Sequence, residues 1–430
     1  MKENRRSFLR KGSWLAGALG ISPVFTSAAS PLEEDEFKLP TAIEQLKPAL
    51  DGIVPISVEE RKQRIAKAQQ LMQQQQIDAI FMEGTTTCNY FTGLRWGQSE
   101  RTFGLVIPAK GNIAYVCPKF EEDRARELIN PVFGDEVRCW EEHESPYELI
   151  AGIVKDRGVK FRRIGMEERV RFFIADGVKK LGGSWEMVDA TPVTAGCRMY
   201  KSAAELALMQ KANDVTIEAY KAAFATIQPE MTQAQLGRNI SAAFEKLGFT
   251  GGASVQVGKY SAMPHGSIKP QKIMEGDVVM VDGGTSCQGY ASDITRTIVV
   301  GKPTDKQIAV WNLEKKAQDA AFAAIRLGAP CEVVDAAARA VIENGGYEKN
   351  YRLPGLPHRT GHGIGMEGHE WTNFVKGNKT PIGVGMCFSD EPTISIPGEF
   401  GIRLEDCLYI TEAGPRFFTP QSISIEEPFG

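Results

Sequence analysis

Residues 277–301 read DVVMVDGGTSCQGYASDITRTIVVG. The apolar runs VVMV and ITRTIVV flank a glycine-rich polar stretch, so the segment predicts two antiparallel strands joined by a turn. Each run carries an acid where an acid is costly: Asp282 ends the first and Asp293 opens the second. A carboxylate in a strand that reads as buried needs a strong partner. A hairpin folded between Cys287 and Gln288, with Gly289 beside the turn, brings the two carboxylates opposite one another.

The arrangement recurs toward the C-terminus. Glu391 in CFSDEPTISI and Glu405 in FGIRLEDCLYI are centred on Pro397-Gly398, a turn pair. Two hairpins can therefore each present a facing carboxylate pair. Four like charges in one cavity repel and raise one another's pKa, and a pair of divalent cations relieves that repulsion. The ordinary alternative is an ion pair for each acid with Arg296 or Arg403. Of the five histidines, 265, 358, 362 and 369 fall in this half of the chain. His362 lies in PHRTGHGIGMEGHE, where glycine on both sides permits close backbone approach and leaves the ring free to reach a metal. Carboxylates with one imidazole suit a hard or borderline ion such as manganese better than thiolate-type zinc.

Two motifs in this segment fail on context. Gly363-Ile364-Gly365-Met366-Glu367-Gly368 fits GxGxxG, but a dinucleotide loop follows an apolar strand and opens a helix. Here LPHRTGH precedes it and WTNF follows. His369-Glu370 starts like HExxH, yet position 373 is Asn, so the zinc-protease helix is missing.

The surroundings divide the chain. Residues 201–227 predict a long helix with Ser202 as N-cap and Glu205 closing a capping box. Helices over 232–246, 305–327 and 331–344 follow, and glycine- and proline-rich short strands fill the last stretch. Helices beside antiparallel strands make residues 198–430 an α+β domain rather than a Rossmann sheet. Before it, strands at 78–83, 103–108, 113–118, 162–168 and 185–190 alternate with helices at 59–76, 120–130, 147–156 and 171–181, an α/β domain over residues 58–197. Residues 30–57, spotted with proline, read as an arm or linker.

Residues 1–29 read as an export signal. Asn4-Arg5-Arg6-Ser7-Phe8-Leu9-Arg10 is a twin-arginine pattern, the run Trp14 to Phe25 is apolar, and Ser27-Ala28-Ala29-Ser30 suits cleavage near Ala29. The apolar run is shorter than the ~20 residues of a membrane span. The implied location is periplasmic or secreted, with no membrane association in the mature form. The chain of 430 residues has a formal charge of −4. Its first 29 residues carry five basic and one acidic side chain, +4, so −8 remains on the rest. That acidity gives no general reason to bind nucleic acid or an anionic membrane. The eight cysteines show no CxxC and no zinc-ribbon spacing, and they read as buried thiols rather than a disulfide frame.

The stretches AMPHGSIKP, VVMVDGG, GYASDITRT, HRTGHGIGMEGHE and DEPTISIPGEFGIRLED resemble the pita-bread metallohydrolases: aminopeptidase P, prolidase and methionine aminopeptidase, with creatinase as a metal-free cousin. TTTCNYFTGLRW is similar, more loosely, to the creatinase-type N-terminal domain that methionine aminopeptidases lack. The resemblance implies a pita-bread catalytic domain behind a smaller α/β domain. It also implies a homodimer acting on small proline-containing peptides, by cleaving Xaa-Pro bonds in dipeptides or at peptide N-termini. All five ligand positions of the family are filled. By that likeness Asp282 binds one metal, His362 with Glu391 mainly the other, and Asp293 and Glu405 bridge. Manganese is the expected ion, with zinc, cobalt or iron as alternatives. Glu391 doubles as proton acceptor, His265 and His369 hold the substrate carbonyl and tetrahedral intermediate, and Arg403 orients Glu405 from behind. His358 reads as structural or at the rim, and His143, in EEHES, as solvated. Arg95 or Arg101 is the expected binder of a substrate carboxylate.

Thr393 stands where the family usually has glycine, and Trp371-Thr372-Asn373 where proline often follows His-Glu. These departures motivate a second reading, the same cage used by a lyase or by a hydrolase of non-peptide amides. A third, a non-catalytic binding protein on a retired scaffold, is opposed by the complete ligand set.

Overall fold

The computed structural model describes residues 38–430; the expected export signal and the first part of the arm lie outside them. The rest of the arm is a short helix, Thr41–Glu44, and an irregular stretch with a turn at residues 51–52 that leads to the helix Val58–Gln75, capped by the Ser57 side chain.

The next residues build a mixed six-stranded sheet. Its strands are β1 (Ala79–Glu83), β2 (Gly104–Pro108), β3 (Ala114–Pro118), β4 (Glu136–Trp140), β5 (Arg163–Met166) and β6 (Glu186–Asp189). Their spatial order is β4-β3-β2-β1-β5-β6. The period-2 alternation of β1 sends Ile80 and Met82 to one core, and Ala79 and Phe81 to another. Ile65, Ala68 and Met72 of the first long helix cover one face, with Val193 and Cys197 of the helix Thr191–Arg198. Helices Pro146–Arg157 and Phe172–Gly182 cover the other. Burial on both faces explains why β1, β2 and β3 read as unbroken apolar runs. Strand β4 and the helices Thr86–Thr92 and Thr191–Arg198 were not legible beforehand.

From Ser202 onward the chain forms the domain that holds the acids. Three of its helices start on complete capping boxes: Ala203–Phe224 (Ser202/Glu205), Gln233–Lys246 (Thr232/Gln235) and Asp305–Ala324 (Thr304/Gln307). Glu332–Asn344 is the fourth. Strands β7 (Gly251–Val257), β8 (Val278–Cys287), β9 (Tyr290–Ala291) and β10 (Ile294–Val299) form one antiparallel sheet. Strands β11 (Gly361–Gly363), β12 (Glu370–Phe374), β13 (Cys387–Asp390), β16 (Asp406–Thr411) and β17 (Gly414–Phe417) form a second, and β14 (Thr393–Ile396) pairs with β15 (Phe400–Arg403). A bridge from Thr295 to Glu405 joins the two halves.

The two hairpins differ in how well sequence placed them. In β14–β15, Ile396 faces Phe400 across a turn holding Gly398, the register expected for Glu391 and Glu405. The first hairpin turns one position later than expected. Cys287 pairs with Tyr290, and Gln288 and Gly289 both take positive φ (51° and 92°), a two-residue turn of the kind hairpins favour. Asp282 consequently faces Thr295, not Asp293.

All eight cysteines are free thiols, and seven are buried. No helix among the described residues is long and apolar enough to cross a membrane.

Candidate metal centre

The five predicted ligands converge. His362 sits on β11, squeezed so tightly beside β13 that a Cβ on Gly361 would lie 2.1 Å from the Ser389 carbonyl oxygen. The Ser389 hydroxyl accepts the His362 backbone N–H at 3.0 Å. The ring is buried, and its Nδ1 lies 3.1 Å from the Gly363 carbonyl oxygen. A carbonyl only accepts, so the proton is on Nδ1 and the Nε2 lone pair faces the acids. Nε2 lies 3.4 Å from Glu391 Oε1 and 3.8 Å from both Asp293 Oδ2 and Glu405 Oε1. Burial first, and His369 next, push the His362 pKa down to about 3, which keeps the ring neutral and able to ligate.

Donor atoms fall into overlapping triads, each within 4.8 Å: His362, Glu391 and Glu405; and Asp282, Asp293 and Glu405. Glu405 belongs to both of these triads. A third triad sets His369 beside Asp293 and His362.

The electrostatics call for cations. Burial and the neighbouring acids hold Asp293 and Glu405 well above the usual carboxylate range. Burial lifts Glu391 to about 7 against the pull of Arg403. Glu405 Oε1 is buried with no hydrogen-bond partner. The residues therefore fit divalent ions, through hard oxygen donors, one neutral imidazole and an orphaned oxygen at the shared position.

Arg403 requires a correction. Its Nη2 donates to Asp282 Oδ2 at 2.5 Å rather than to Glu405. The long side chain passes its strand neighbour and reaches β8, and Nε donates to Thr295 Oγ1 at 3.1 Å. Thr295, missed in the sequence, links the hairpins. Its hydroxyl lies 2.8 Å from Asp282 Oδ1 and 2.7 Å from Glu405 Oε2, with one proton to give. Arg296 serves neither acid, because it pairs with Asp406 at 2.7 Å. The ordinary ion-pair alternative thus holds for Asp282 alone.

Around this centre, His369 is exposed, its ring lies tilted against that of His362 with centroids 3.9 Å apart, and its Nδ1 lies 3.0 Å from an Arg359 nitrogen. His265 is exposed on the loop after Gly258–Ala262 and near enough to His358 and His369 for its charge to oppose theirs. His358 is held by Thr393, whose hydroxyl lies 3.0 Å from Nε2, so the threonine at the glycine position anchors a histidine. Trp371 is 52% exposed and borders a cavity of about 640 Å³ shared with His369, Arg198 and Met199. Arg101 is tied to Glu142 at 2.8 Å, whereas Arg95 lines a separate cleft with Asn89 and Trp96.

Glu370 ties β12 to the end of the helix Thr191–Arg198 and the residues just after it. Its carboxylate accepts from Arg198 at 2.6 Å and Lys201 at 3.2 Å. Burial opposes its ionisation, but Lys201 and Arg198 prevail and hold it at about 2. The folded pKa lies below the unfolded value, so the stabilisation is complete above about 4.5 and vanishes as pH falls toward 2. It amounts to about 3 kcal/mol at neutral pH. Urea unfolding of Glu370→Gln should be less steeply weakened by acid than wild type across that window. Parallel acid profiles would contradict the assignment.

Comparison with known proteins agrees. Residues 207–412 match the model of metallopeptidase family M24, and residues 64–200 match the creatinase/prolidase N-terminal domain. The Xaa-Pro dipeptidase of Lactobacillus helveticus is 32% identical over 370 residues, 82% of this chain and 95% of that protein. The crystal structure of dipeptidase PepE from Mycobacterium ulcerans superposes with a TM-score of 0.80 at 31% identity, covering 86% of this chain and 98% of that one. A prolidase from Thermococcus sibiricus gives 0.75 at 29% identity, covering 84% and 97%. Two stacked domain matches and a full-length relative above 30% identity place the chain in metallopeptidase family M24, with a creatinase/prolidase N-terminal domain ahead of its pita-bread catalytic domain.

Proposed function

We propose that this protein is a dinuclear metal-dependent exopeptidase that cleaves Xaa-Pro bonds in dipeptides or at peptide N-termini. The observation that carries the reading is the meeting of four carboxylates and a neutral imidazole, with Glu405 Oε1 buried and without a hydrogen-bond partner. The printed activities of relatives, Xaa-Pro dipeptidase and prolidase, point to the same bond.

Divalent cations, when bound, would be held by Asp282, Asp293, His362, Glu391 and Glu405 and would supply Lewis acidity toward water and the scissile carbonyl. The protein's own groups do the rest. Glu391 takes the attacking water's proton and passes it to the leaving amine. His369 and His265 hydrogen-bond the carbonyl oxygen as it gains charge. Arg403 and Thr295 hold Asp282 and Glu405 in place. Manganese fits the oxygen-rich donor set best. Assembly as a homodimer and export through a twin-arginine signal complete the proposal.

The test is release of amino acids from Xaa-Pro and Xaa-Pro-Xaa peptides with added manganese, beside a count of bound metal. Turnover of Xaa-Pro substrates with two metals per chain is expected. Two metals without peptide turnover would move the cage to a non-peptide amide or a lyase reaction, the reading raised by Thr393 and Trp371. No metal would refute the enzyme.

A further inference from the structure

We propose that Arg359 is a positioning residue that fixes His369 as an Nε2–H hydrogen-bond donor and so keeps it out of the metal cage. The inference rests on the peptidase reading for what the donor serves, and on geometry alone for the tautomer.

His369 is close enough to be a ligand, since one of its ring nitrogens lies within 4.8 Å of donor atoms of Asp293 and His362. Proximity therefore does not decide between metal ligand and hydrogen-bond donor. The Nδ1 contact does. Arg359 Nη2 lies 3.0 Å from His369 Nδ1, and a guanidinium has donors only and stays protonated. Nδ1 must therefore accept, and the ring proton sits on Nε2. With one lone pair used by Arg359 and the other nitrogen protonated, neither nitrogen is free to ligate.

His362, whose ring lies tilted against it with centroids 3.9 Å apart, is the reverse case. Its Nδ1 faces a carbonyl oxygen, which only accepts, so its proton is on Nδ1 and Nε2 is free. Two adjacent imidazoles thus carry opposite tautomers, one built to bind metal and one to donate. Arg359 is itself held in place. Its Nη1 donates to Asn373 Oδ1 at 3.0 Å, and Asn373 is the β12 partner of His362. Next to His369, Glu370 is clamped by Arg198 and Lys201, so backbone and ring are both fixed.

Long-range ¹⁵N–¹H correlation spectra of the metal-free protein read the tautomers directly, without activity or metal. The expected result is Nε2–H for His369 and Nδ1–H for His362. In Arg359→Met the His369 signals should shift toward a mixture of tautomers. In the manganese enzyme, kcat should fall by ~10–100-fold with KM within about threefold, the range for groups that orient a working side chain. Arg359→Lys, which restores a donor-only group, should recover Nε2–H and part of kcat, and it substitutes if the methionine variant misfolds. Nδ1–H on wild-type His369, or Arg359→Met with unchanged tautomer and unchanged kcat, would overturn the proposal. Loss of the peptidase reading looks different: wild type would cleave no Xaa-Pro peptide while the tautomers stood as described.

Discussion

Asp293→Ala should abolish peptide turnover and most metal binding while leaving the metal-free fold intact or more stable. Asp293 contributes to both sides of the cage: an oxygen lies 3.8 Å from His362 Nε2, and it belongs to the triad with Asp282 and Glu405. Removing it takes a donor from each cation position, so the loss in kcat/KM should exceed the ~10–100-fold typical of residues one step removed from a metal. The metal-free protein should respond in the opposite sense. Burial and the charges of Asp282 and Glu391 disfavour the Asp293 carboxylate, so deleting it relieves repulsion that the fold tolerates for function. Thermal unfolding with and without manganese separates the two effects. Wild type should gain strongly from metal, as any ligand specific to the native state stabilises it, and the variant should start equal or higher and gain little. A variant that still holds two metals per chain would remove Asp293 from the cage and dissolve the bridged arrangement.

The cage was legible because its chemistry conflicts with its surroundings. Asp282 stands in an otherwise apolar strand and Glu405 in the two-residue link between β15 and β16, and only a strong partner explains an acid at either place. Turn residues then supplied the pairing: Pro397-Gly398 set the second hairpin's register as observed. The first hairpin was misread by one position at its turn, because Gln288 tolerates the positive φ that sequence reasoning reserves for glycine. That slip hid Thr295, whose hydroxyl, not Asp293, faces Asp282. Arg359 was invisible for another reason. Nothing in HRTGHG marks an arginine whose importance lies in which nitrogen of a histidine ten positions later it touches. The role of Thr393 escaped likewise, since a departure from a family pattern reads as loss until the structure shows the hydroxyl on His358. Strand β4 and the two short helices failed because their local patterns are weak and their burial comes from distant partners.

The support beneath the cage yields the second large effect. Arg296 is fully buried and pairs with the equally buried Asp406 at 2.7 Å. Its Nη1 also donates to the backbone carbonyls of Thr295 and Glu405, each at 3.0 Å, so one guanidinium holds the strand segments that carry two site residues. Arg296→Met leaves Asp406 with Thr419 and Gln318 as donors but with no cation, beside Asp390, whose buried carboxyl has no hydrogen-bond partner. An uncompensated buried charge of this kind typically costs ~3–5 kcal/mol, to be read from the shift in the urea midpoint. The double variant Arg296→Met/Asp406→Leu should regain most of that stability, since well-packed apolar residues often replace a buried pair without loss. It should not regain metal affinity, because the carbonyls of Thr295 and Glu405 still lack their common donor and Glu405 is free to drift. Stability and function are thereby separated: the charge on Arg296 answers Asp406, while its second nitrogen positions the cage. Full recovery of metal binding in the double variant would show that Glu405 is placed by its strand alone, and loss of less than about 1 kcal/mol in the single variant would show that Asp406 accommodates the missing cation by taking up a proton.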